Sequence, residues 1–486
     1  MKNLFGIFPT KTSVPLSIIF LILLGTLSKL LFLNSVPLFG DEALYCYLGY
    51  LFTIKPFGYV FSIATQIWKD SPGLLILNAI NFKIFGQSHP IEICRLSSVI
   101  SSFISVAIFY LFIRLFSAEK RVHLAAIAFL LFNPFNFFFD RTSLMDVPLV
   151  AFLLMFLYFS LRFLQRDRLF FLIASLFSFV CMFFTKINSL VIIPVVVWIS
   201  VRDRELFQLR LRYFLSLAMV SALSLFVTIR YTNIWDTVFY HVGVPLNIFQ
   251  LVSRFIQNMR IMASWYRQFL TPLIFILVGI GAWHMMKKKH GALVFILPFF
   301  LSFYALVSIN LFPRYLLFTL PFLALLVGFS VYTRIARFLF IAMMVAFISS
   351  DYYVLMNSNK ALLAYETRYE YFFDWGSGIG TQKALMYLSS LNEEKIVLLV
   401  PTDLLGLFEI LKMEHTPKTP IQFEFFSDTT VLENLLRKKR EEKIYIVSTP
   451  YHEWITKILT DFPAIILHTT DGFDRNSIIL YELSLP

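Results

Sequence analysis

Residues 39–50 read FGDEALYCYLGY and place two adjacent carboxylates, Asp41 and Glu42, among apolar and aromatic residues. They follow a long apolar run that covers residues 14–34. A run of about 20 apolar residues crosses a bilayer as a helix. This one is too long for a signal peptide and lacks a small-residue cleavage site, so we expect it to remain as the first membrane helix. The two acids then open the loop that follows it.

The composition indicates which solvent surrounds the chain. Of its 486 residues, 58% are hydrophobic, 15% are charged and 57 are phenylalanine. A soluble core cannot bury that much apolar surface, which predicts a polytopic membrane protein. The net charge of +12 comes from short basic clusters between apolar runs and not from one basic face. This pattern argues against nucleic acid as a partner.

Roughly eleven apolar runs have a length suited to crossing the bilayer. They cover residues 14–34, 94–116, 122–139, 144–164, 169–185, 187–201, 213–231, 268–286, 291–309, 314–332 and 336–356. Basic residues of the short loops collect in alternate loops, such as 119–121, 202–212 and 287–289. Because basic loops stay in the cytoplasm, we predict an integral plasma-membrane protein with its N-terminus inside and its C-terminus outside.

From about residue 357 the composition becomes that of a soluble α/β domain. Strands are predicted at 394–400, 443–448, 464–468 and 477–483, with helices at 403–412 and 430–441. The sequence thus predicts a transmembrane domain over 1–356, with a first extracytoplasmic loop at 35–93, and an extracytoplasmic domain over 357–486. The predicted fold class is a polytopic α-helical membrane protein with extracytoplasmic loop helices and a small C-terminal α/β domain.

Three acids are candidates for chemistry at the outer membrane face. Asp41 and Glu42 lie at the outer end of the first helix, and Asp146 begins the fourth after the outer turn that contains Asp140 and Arg141. A carboxylate there is costly to desolvate unless it has a function or a partner. The simpler interpretation is that such acids only end helices and reach water. Acids that converge on one face would instead deprotonate a hydroxyl or hold a divalent cation.

The chain resembles the polyprenyl-phosphate-sugar-dependent glycosyltransferases of the C-type fold, the superfamily of protein O-mannosyltransferases and lipid A aminoarabinose transferases. The similarity rests on motifs in a consistent order over about 350 residues. They are Asp41-Glu42 with Tyr45, DSPGLLILNAINFKIFG at 70–86, Arg95 in CRLSSVIS, RTSLMDVPL at 141–149, FTKINSLVIIPVV at 184–196 and FPRYLLFTLPFLALLVG at 312–328. Three features depart from the family pattern: Ser71 replaces a lysine, with Lys69 as the candidate substitute, Gly73 replaces a second proline, and Ala43 and Leu44 stand where some relatives carry an arginine.

The resemblance implies that a sugar on an isoprenoid phosphate is moved, with inversion, to a protein, lipid or glycan acceptor on the outer face. It implies Asp41 as the base that takes the acceptor proton, with Glu42 and Asp146 as supporting acids. The expected substrate-binding residues are Lys69, Tyr45, Arg95, Arg141, Lys186, His241 and Arg314, of which Lys69 and Arg314 are the first candidates for the phosphate. No cofactor is established. A divalent metal ion held by Asp41 and Asp146 remains open.

Other interpretations stay open beside this one. Many spans with scattered charges also suit a transporter or lipid flippase, although such proteins show related halves and broken mid-membrane helices. A non-enzymatic envelope anchor would leave the long first loop without a purpose. Single basic residues at the interface commonly only reach towards lipid headgroups. Cys46, Cys94 and Cys181 lack metal-type spacing and are interpreted as apolar filler, and His241 as a hydrogen-bonding loop residue.

Overall fold

A computed structural model describes most of the chain. The described residues are 14–67, 71–186, 207–232, 247–288, 291–308, 311–373, 378–391, 393, 395–415, 420–438, 443–449, 452–459, 464–469 and 478–483. The predicted span at 187–201 and the candidate residues Lys69 and His241 therefore lie outside the described residues.

The first 186 residues form nine helices within the described ranges. They are α1 (Leu16–Leu30), α2 (Gly40–Ile54), α3 (Phe57–Ser62), α4 (Pro72–Phe85), α5 (Pro90–Ile113), α6 (Lys120–Phe132), α7 (Pro134–Phe139), α8 (Asp146–Arg166) and α9 (Leu169–Thr185). Helices with a membrane-type composition follow at Phe207–Tyr231, Ile248–Leu270, Leu273–Lys287, Gly291–Val294, Ile296–Val307, Leu320–Ser330 and Arg334–Met356. The helical membrane architecture predicted from the sequence is confirmed.

Among the described residues, five helical segments are long and apolar enough to cross a membrane, and a sixth span is counted if one bent pair is a single span. Three apolar helices are shorter, namely α1, α4 and α9. Ten of the predicted runs coincide with helices, but several are shorter or broken, so the number of crossings stays a prediction. The bent pair consists of Phe249–Leu270 and Leu273–Lys287, and the two helices meet at 102°.

Proline explains the breaks in these spans. The run at 122–139 divides at Asn133-Pro134, where the Asn133 side chain accepts a hydrogen bond from the Asn136 amide and starts α7. The run at 314–332 begins as a 3-10 helix, Pro313–Thr319, before Leu320–Ser330. Pro272 follows the sharp bend at Thr271, which has a φ of 62°. Proline lacks an amide donor and ends or bends a helix for that reason.

The chain forms two compact units. The first contains residues 1–33, 55–77 and 95–364, and the second contains 34–54, 78–94 and 365–486. The second unit therefore combines the predicted C-terminal domain with two segments of the first loop, one of which is α2. The predicted division at residue 357 did not include those segments and stays a prediction.

A five-stranded sheet forms the centre of the second unit. Its strands are β1 (Ile396–Pro401), β2 (Ile421–Phe426), β3 (Ile444–Ser448), β4 (Ala464–Thr469) and β5 (Ile479–Leu483), in the order β2-β1-β3-β5-β4. Strands β2, β1 and β3 are parallel, and β5 runs antiparallel to β3 and β4. The small α/β domain is confirmed. Its second strand, β2, was not predicted from the sequence.

Alternate residues of the interior strand β1 pack into two cores. Val397 and Leu399 lie with Leu432, Leu436 and Ile455 on one face of the sheet. Ile396, Leu398 and Val400 lie on the other face with helices Ile379–Ser390 and Leu405–His415 and with the first-loop residues Ala43, Cys46, Ile93 and Cys94. The loop segments thus bury apolar surface in the same core as the sheet, which fixes the position of α2.

Candidate active site

An ion pair joins the start of α8 to the residue after α9. Lys186 Nζ lies 2.6 Å from Asp146 Oδ1, and the two side chains are 20% and 8% exposed. Only Asp167 and Arg168 separate α8 from α9, so the helices run antiparallel and the beginning of α8 meets the end of α9. The N-terminus of a helix also favours a carboxylate through its dipole. Asp146 and Lys186, which were predicted as separate site residues, therefore form one ion pair.

Aromatic rings and a second cation lie around this ion pair. The ammonium of Lys186 lies 4.1 Å from the centre of the Tyr315 ring. In the same 3-10 turn, the Arg314 guanidinium lies 4.9 Å from the centre of the Phe312 ring, and Arg314 is largely buried. A cation over an aromatic face is attracted electrostatically by the ring. The cluster of Asp146, Lys186, Arg314 and Tyr315, here called the cation cluster, is suited to an anionic group.

Gly73, a departure from the family pattern, lies against the end of α9. A Cβ atom at Gly73 would lie 2.7 Å from Thr185 Oγ1 and 3.0 Å from the Phe184 carbonyl oxygen. Atoms that are not bonded do not approach so closely, so the position requires glycine or a shift of α9. The start of α4 therefore packs next to Lys186. Ser71 is buried at the same turn.

Arg141 and Arg95 lie at the end of α1. Arg141 donates hydrogen bonds to the carbonyl oxygens of Lys29, at 3.1 Å, Leu31, at 2.6 Å, and Phe32. Arg95 donates to the carbonyl oxygen of Leu33. Both side chains are fully buried. The last carbonyls of a helix lack partners within the helix, and these guanidinium groups supply them. This geometry supports a structural role for both residues, and their substrate-binding role stays a prediction.

Buried charges inside the membrane unit were missed at the sequence level. Lys29 Nζ lies 2.5 Å from Asp140 Oδ2, and Ser102 Oγ donates to the same oxygen at 2.7 Å. Asp351, only 5% exposed, lies in the electrostatic range of Lys29 and Arg141, and neither of its oxygens has a hydrogen-bond partner among the described residues. Lys29 and Asp351 both interrupt apolar runs. An ionisable residue within an apolar run is the sequence signal that could have identified these buried charges.

In the second unit, α2 begins at the predicted catalytic acids. Asp41 is half-buried in the first turn, whereas Glu42 is fully buried and its Oε2 accepts a hydrogen bond from the Phe39 amide at 3.4 Å. The Tyr45 carbonyl oxygen accepts a hydrogen bond from Asn78. Glu42 thus contacts the backbone that precedes its own helix, as a capping residue does. Asp41 is the more exposed of the two acids.

The position of α2 depends on two glycines of its own unit. A Cβ atom at Gly406 would lie 2.6 Å from the Leu44 amide nitrogen, and one at Gly378, with a φ of +68°, would lie 2.5 Å from the Leu38 carbonyl oxygen. The Phe39 ring also stacks on the Tyr371 ring at a distance of 4.8 Å between ring centres. The backbone around Asp41 is therefore held against the C-terminal part of the chain.

A disulfide bond connects α2 to α5. Cys46 and Cys94 are bonded across a sequence separation of 48, and Cys181 is a free cysteine. The interpretation of Cys46 and Cys94 as apolar filler was therefore wrong. Spacing alone did not reveal the pair because the two cysteines come together only when α2 and the start of α5 share one core.

Neither Asp41 nor Asp146 belongs, within the described ranges, to a group of three side chains close enough to share a metal ion. Their predicted joint metal site stays a prediction, as does their convergence, because the two acids belong to different compact units. The catalytic and binding roles of the other candidates likewise remain to be tested.

Comparison with known proteins shows which solved structures share this fold. The family described as dolichyl-phosphate-mannose-protein mannosyltransferase matches residues 69–231. ArnT from Cupriavidus metallidurans bound to undecaprenyl phosphate is similar, with 12% identity, a TM-score of 0.61 and coverage of 97% of this chain and 99% of that chain. Apo ArnT from the same organism matches with 12% identity, a TM-score of 0.59 and coverage of 96% and 97%. No curated protein matches the sequence.

Residues 69–231 thus match the mannosyltransferase family model, and the chain has the fold of ArnT, in agreement with the resemblance found in the sequence.

Proposed function

We propose that the chain transfers a sugar from a polyprenyl phosphate to an acceptor hydroxyl or amine at the outer face of the membrane, with inversion at the anomeric carbon. The observation that carries this proposal is the cation cluster, in which Lys186 and Arg314 lie next to aromatic rings in a membrane-embedded unit. A phosphate that leaves the sugar gains negative charge, and fixed cations stabilise that charge. The ArnT structure bound to undecaprenyl phosphate supports a lipid phosphate as the leaving group.

Asp41 is the proposed catalytic base. An acceptor hydroxyl is a weak nucleophile at neutral pH, so a carboxylate within hydrogen-bond reach must take its proton as the oxygen attacks. Asp41 is more accessible than its neighbour, since Glu42 is fully buried and contacts the Phe39 amide. We assign Glu42 the role of holding the start of α2, and Asp146 the role of orienting Lys186 through their ion pair.

The disulfide bond supports an extracytoplasmic location for the second unit. Cys46 and Cys94 both lie in that unit, and disulfides persist in oxidising compartments and are rare in the cytosol. This agrees with the orientation inferred from the basic loops, which places both the first loop and the C-terminus outside.

The proposal is tested with purified protein in detergent, a synthetic polyprenyl-phosphate sugar and a panel of acceptors, with transfer followed by mass spectrometry. Asp41→Asn keeps the size of the side chain but cannot take a proton, so turnover should fall about a hundredfold while donor binding is retained. Glu42→Gln should reduce turnover less. Asp41→Asn protein that keeps more than about a tenth of wild-type turnover would move the base elsewhere. Turnover that persists in a chelator would exclude a required metal ion.

A further inference from the structure

Three side chains of the types that ligate metal ions lie close together in the second unit. None of them is a residue assigned to the proposed sugar transfer. His89 precedes α5, Glu92 lies in its first turn and Glu414 lies in the Leu405–His415 helix. One ligand atom from each side chain lies within 4.8 Å of the other two. His89 and Glu92 are three residues apart, a spacing that brings two side chains to one face of a helix. Two distant segments therefore supply one nitrogen and two carboxylates to one point.

The three side chains form no hydrogen bond or ion pair with one another. The His89 ring forms no hydrogen bond or ion pair with the described residues. Glu92 Oε1 accepts a hydrogen bond from Asn34, while its Oε2 is buried and has no hydrogen-bond partner among the described residues. Two carboxylates that approach each other repel unless a cation or a proton lies between them. A buried carboxylate oxygen without a partner is costly as well.

The distances among the three ligand atoms suit a bridging metal ion better than direct hydrogen bonds. Hydrogen bonds between such atoms are about 2.7–3.2 Å long. Two ligands at about 2.1 Å from a tetrahedral metal are roughly 3.4 Å apart, so ligand atoms that lie within 4.8 Å of one another must close by up to about 1.4 Å around a bound ion. The exposed side chain of His89 can make that movement by rotation. One imidazole and two carboxylates leave a fourth position for water, and imidazole favours zinc over calcium or magnesium.

We propose that His89, Glu92 and Glu414 bind a divalent transition-metal ion of the zinc class, which joins the start of α5 to the Leu405–His415 helix. Two carboxylates and a neutral imidazole carry a charge that one divalent ion neutralises. The ion would fasten together the segments that the Cys46–Cys94 bond and the contact of Gly406 with Leu44 also hold. Its role is to fix the second unit, and it takes no part in the proposed transfer.

The test uses the full-length protein in detergent, after tag removal and treatment with a chelator, in a Cys181→Ala background that removes the free thiol. Zinc is added in a calorimetric titration, and thermal unfolding is followed with and without zinc. We expect one zinc ion per chain and a rise in the unfolding temperature. His89→Ala, Glu92→Gln and Glu414→Gln should each weaken zinc binding at least tenfold and abolish the rise. Glu424→Gln, on β2, is the matched control and should bind zinc like the parent.

X-ray absorption at the zinc edge keeps the proposal testable if a variant fails to fold. The parent protein should show only nitrogen and oxygen ligands at about 2.0–2.2 Å. The proposal is overturned if the parent binds no zinc, if sulfur ligands are found, or if any of the three site variants binds zinc as tightly as Glu424→Gln does.

Discussion

Lys186 and Asp146 form a close ion pair, and the same ammonium lies over the ring of Tyr315. The carboxylate of Asp146 therefore already contacts a cation, and the lysine is the member of the pair that can be presented to an anion. Since the lysine is the more exposed partner, an arriving phosphate can compete for it without removing the whole pair from its surroundings. The ion pair therefore distinguishes the roles of Asp146 and Lys186, which the sequence motifs identified only as candidate site residues.

Lys186→Met should weaken binding of polyprenyl phosphate at least tenfold, because a cation at the leaving group is lost. It should also destabilise the first unit, since Asp146 then keeps its charge in a mostly buried position. Lipid binding and thermal unfolding are measured for Lys186→Met, for Asp146→Asn and for the double variant.

Adding Asp146→Asn to Lys186→Met should restore part of the stability and none of the lipid affinity. Equal lipid affinity in Lys186→Met and wild type would remove Lys186 from the phosphate site. Additive losses of stability would show that the two residues are not coupled.

Gly73→Ala should lower transfer at least tenfold, because the new methyl group must displace the end of α9 and with it Lys186. Thr185→Ala removes the hydroxyl that the methyl group would meet and should recover part of the loss, although the Phe184 carbonyl oxygen remains close. Gly279→Ala, which has nothing within 4 Å of the added atom, is the matched control. Full activity of Gly73→Ala would mean that the turn before α4 does not position the cation cluster.

The fold was predictable from the sequence where one long apolar run forms one helix. Runs such as 144–164 and 336–356 coincide with α8 and with Arg334–Met356, because a predominantly apolar segment in lipid must form a helix to satisfy its backbone. The break at Pro134 was missed since the summed hydropathy of the run at 122–139 hides a proline. Strand β2 was missed because it is an edge strand, whose residues are only partly buried.

The candidate site was predictable in its residue types and not in its partners. Asp146 and Lys186 are far apart in sequence, and their ion pair follows from the antiparallel packing of α8 and α9. Arg95 and Arg141 were expected to bind substrate because they match the family motifs, and in the structure both contact backbone carbonyls at the end of α1. No local pattern shows that first-loop residues share a core with β1, because that contact joins segments that are remote in sequence.

Replacing Cys46 and Cys94 with alanine should destabilise the second unit by about 2–4 kcal/mol, since the bond closes a long loop in the unfolded chain. Thermal unfolding with and without a reductant measures this effect, and Cys181→Ala is the control that should leave the sensitivity to reductant unchanged. Alkylation of the unreduced protein should label one cysteine of the three. Labelling of all three would show that the bond does not form.

Gly406→Ala should lower the turnover number at least tenfold and leave the affinity for polyprenyl phosphate unchanged. The added methyl group would lie 2.6 Å from the Leu44 amide nitrogen and 2.7 Å from Leu44 Cα, so the first turns of α2 must move. Asp41 lies in the first turn of that helix, and a base displaced by about 1 Å can lose a hundredfold in rate. The residues proposed to hold the phosphate, Lys186 and Arg314, belong to the first unit, and we expect them to keep their positions in this variant.

Gly58→Ala is the control for this variant, because the added methyl group meets nothing within 4 Å. Steady-state kinetics separates the turnover number from the Michaelis constant, and direct lipid binding checks that the first unit is intact. A parallel fall in lipid affinity and turnover would indicate general unfolding. Unchanged kinetics in a folded Gly406→Ala protein would show that the packing of α2 on the Leu405–His415 helix does not position the base, and Asp41 would lose the structural argument for its role.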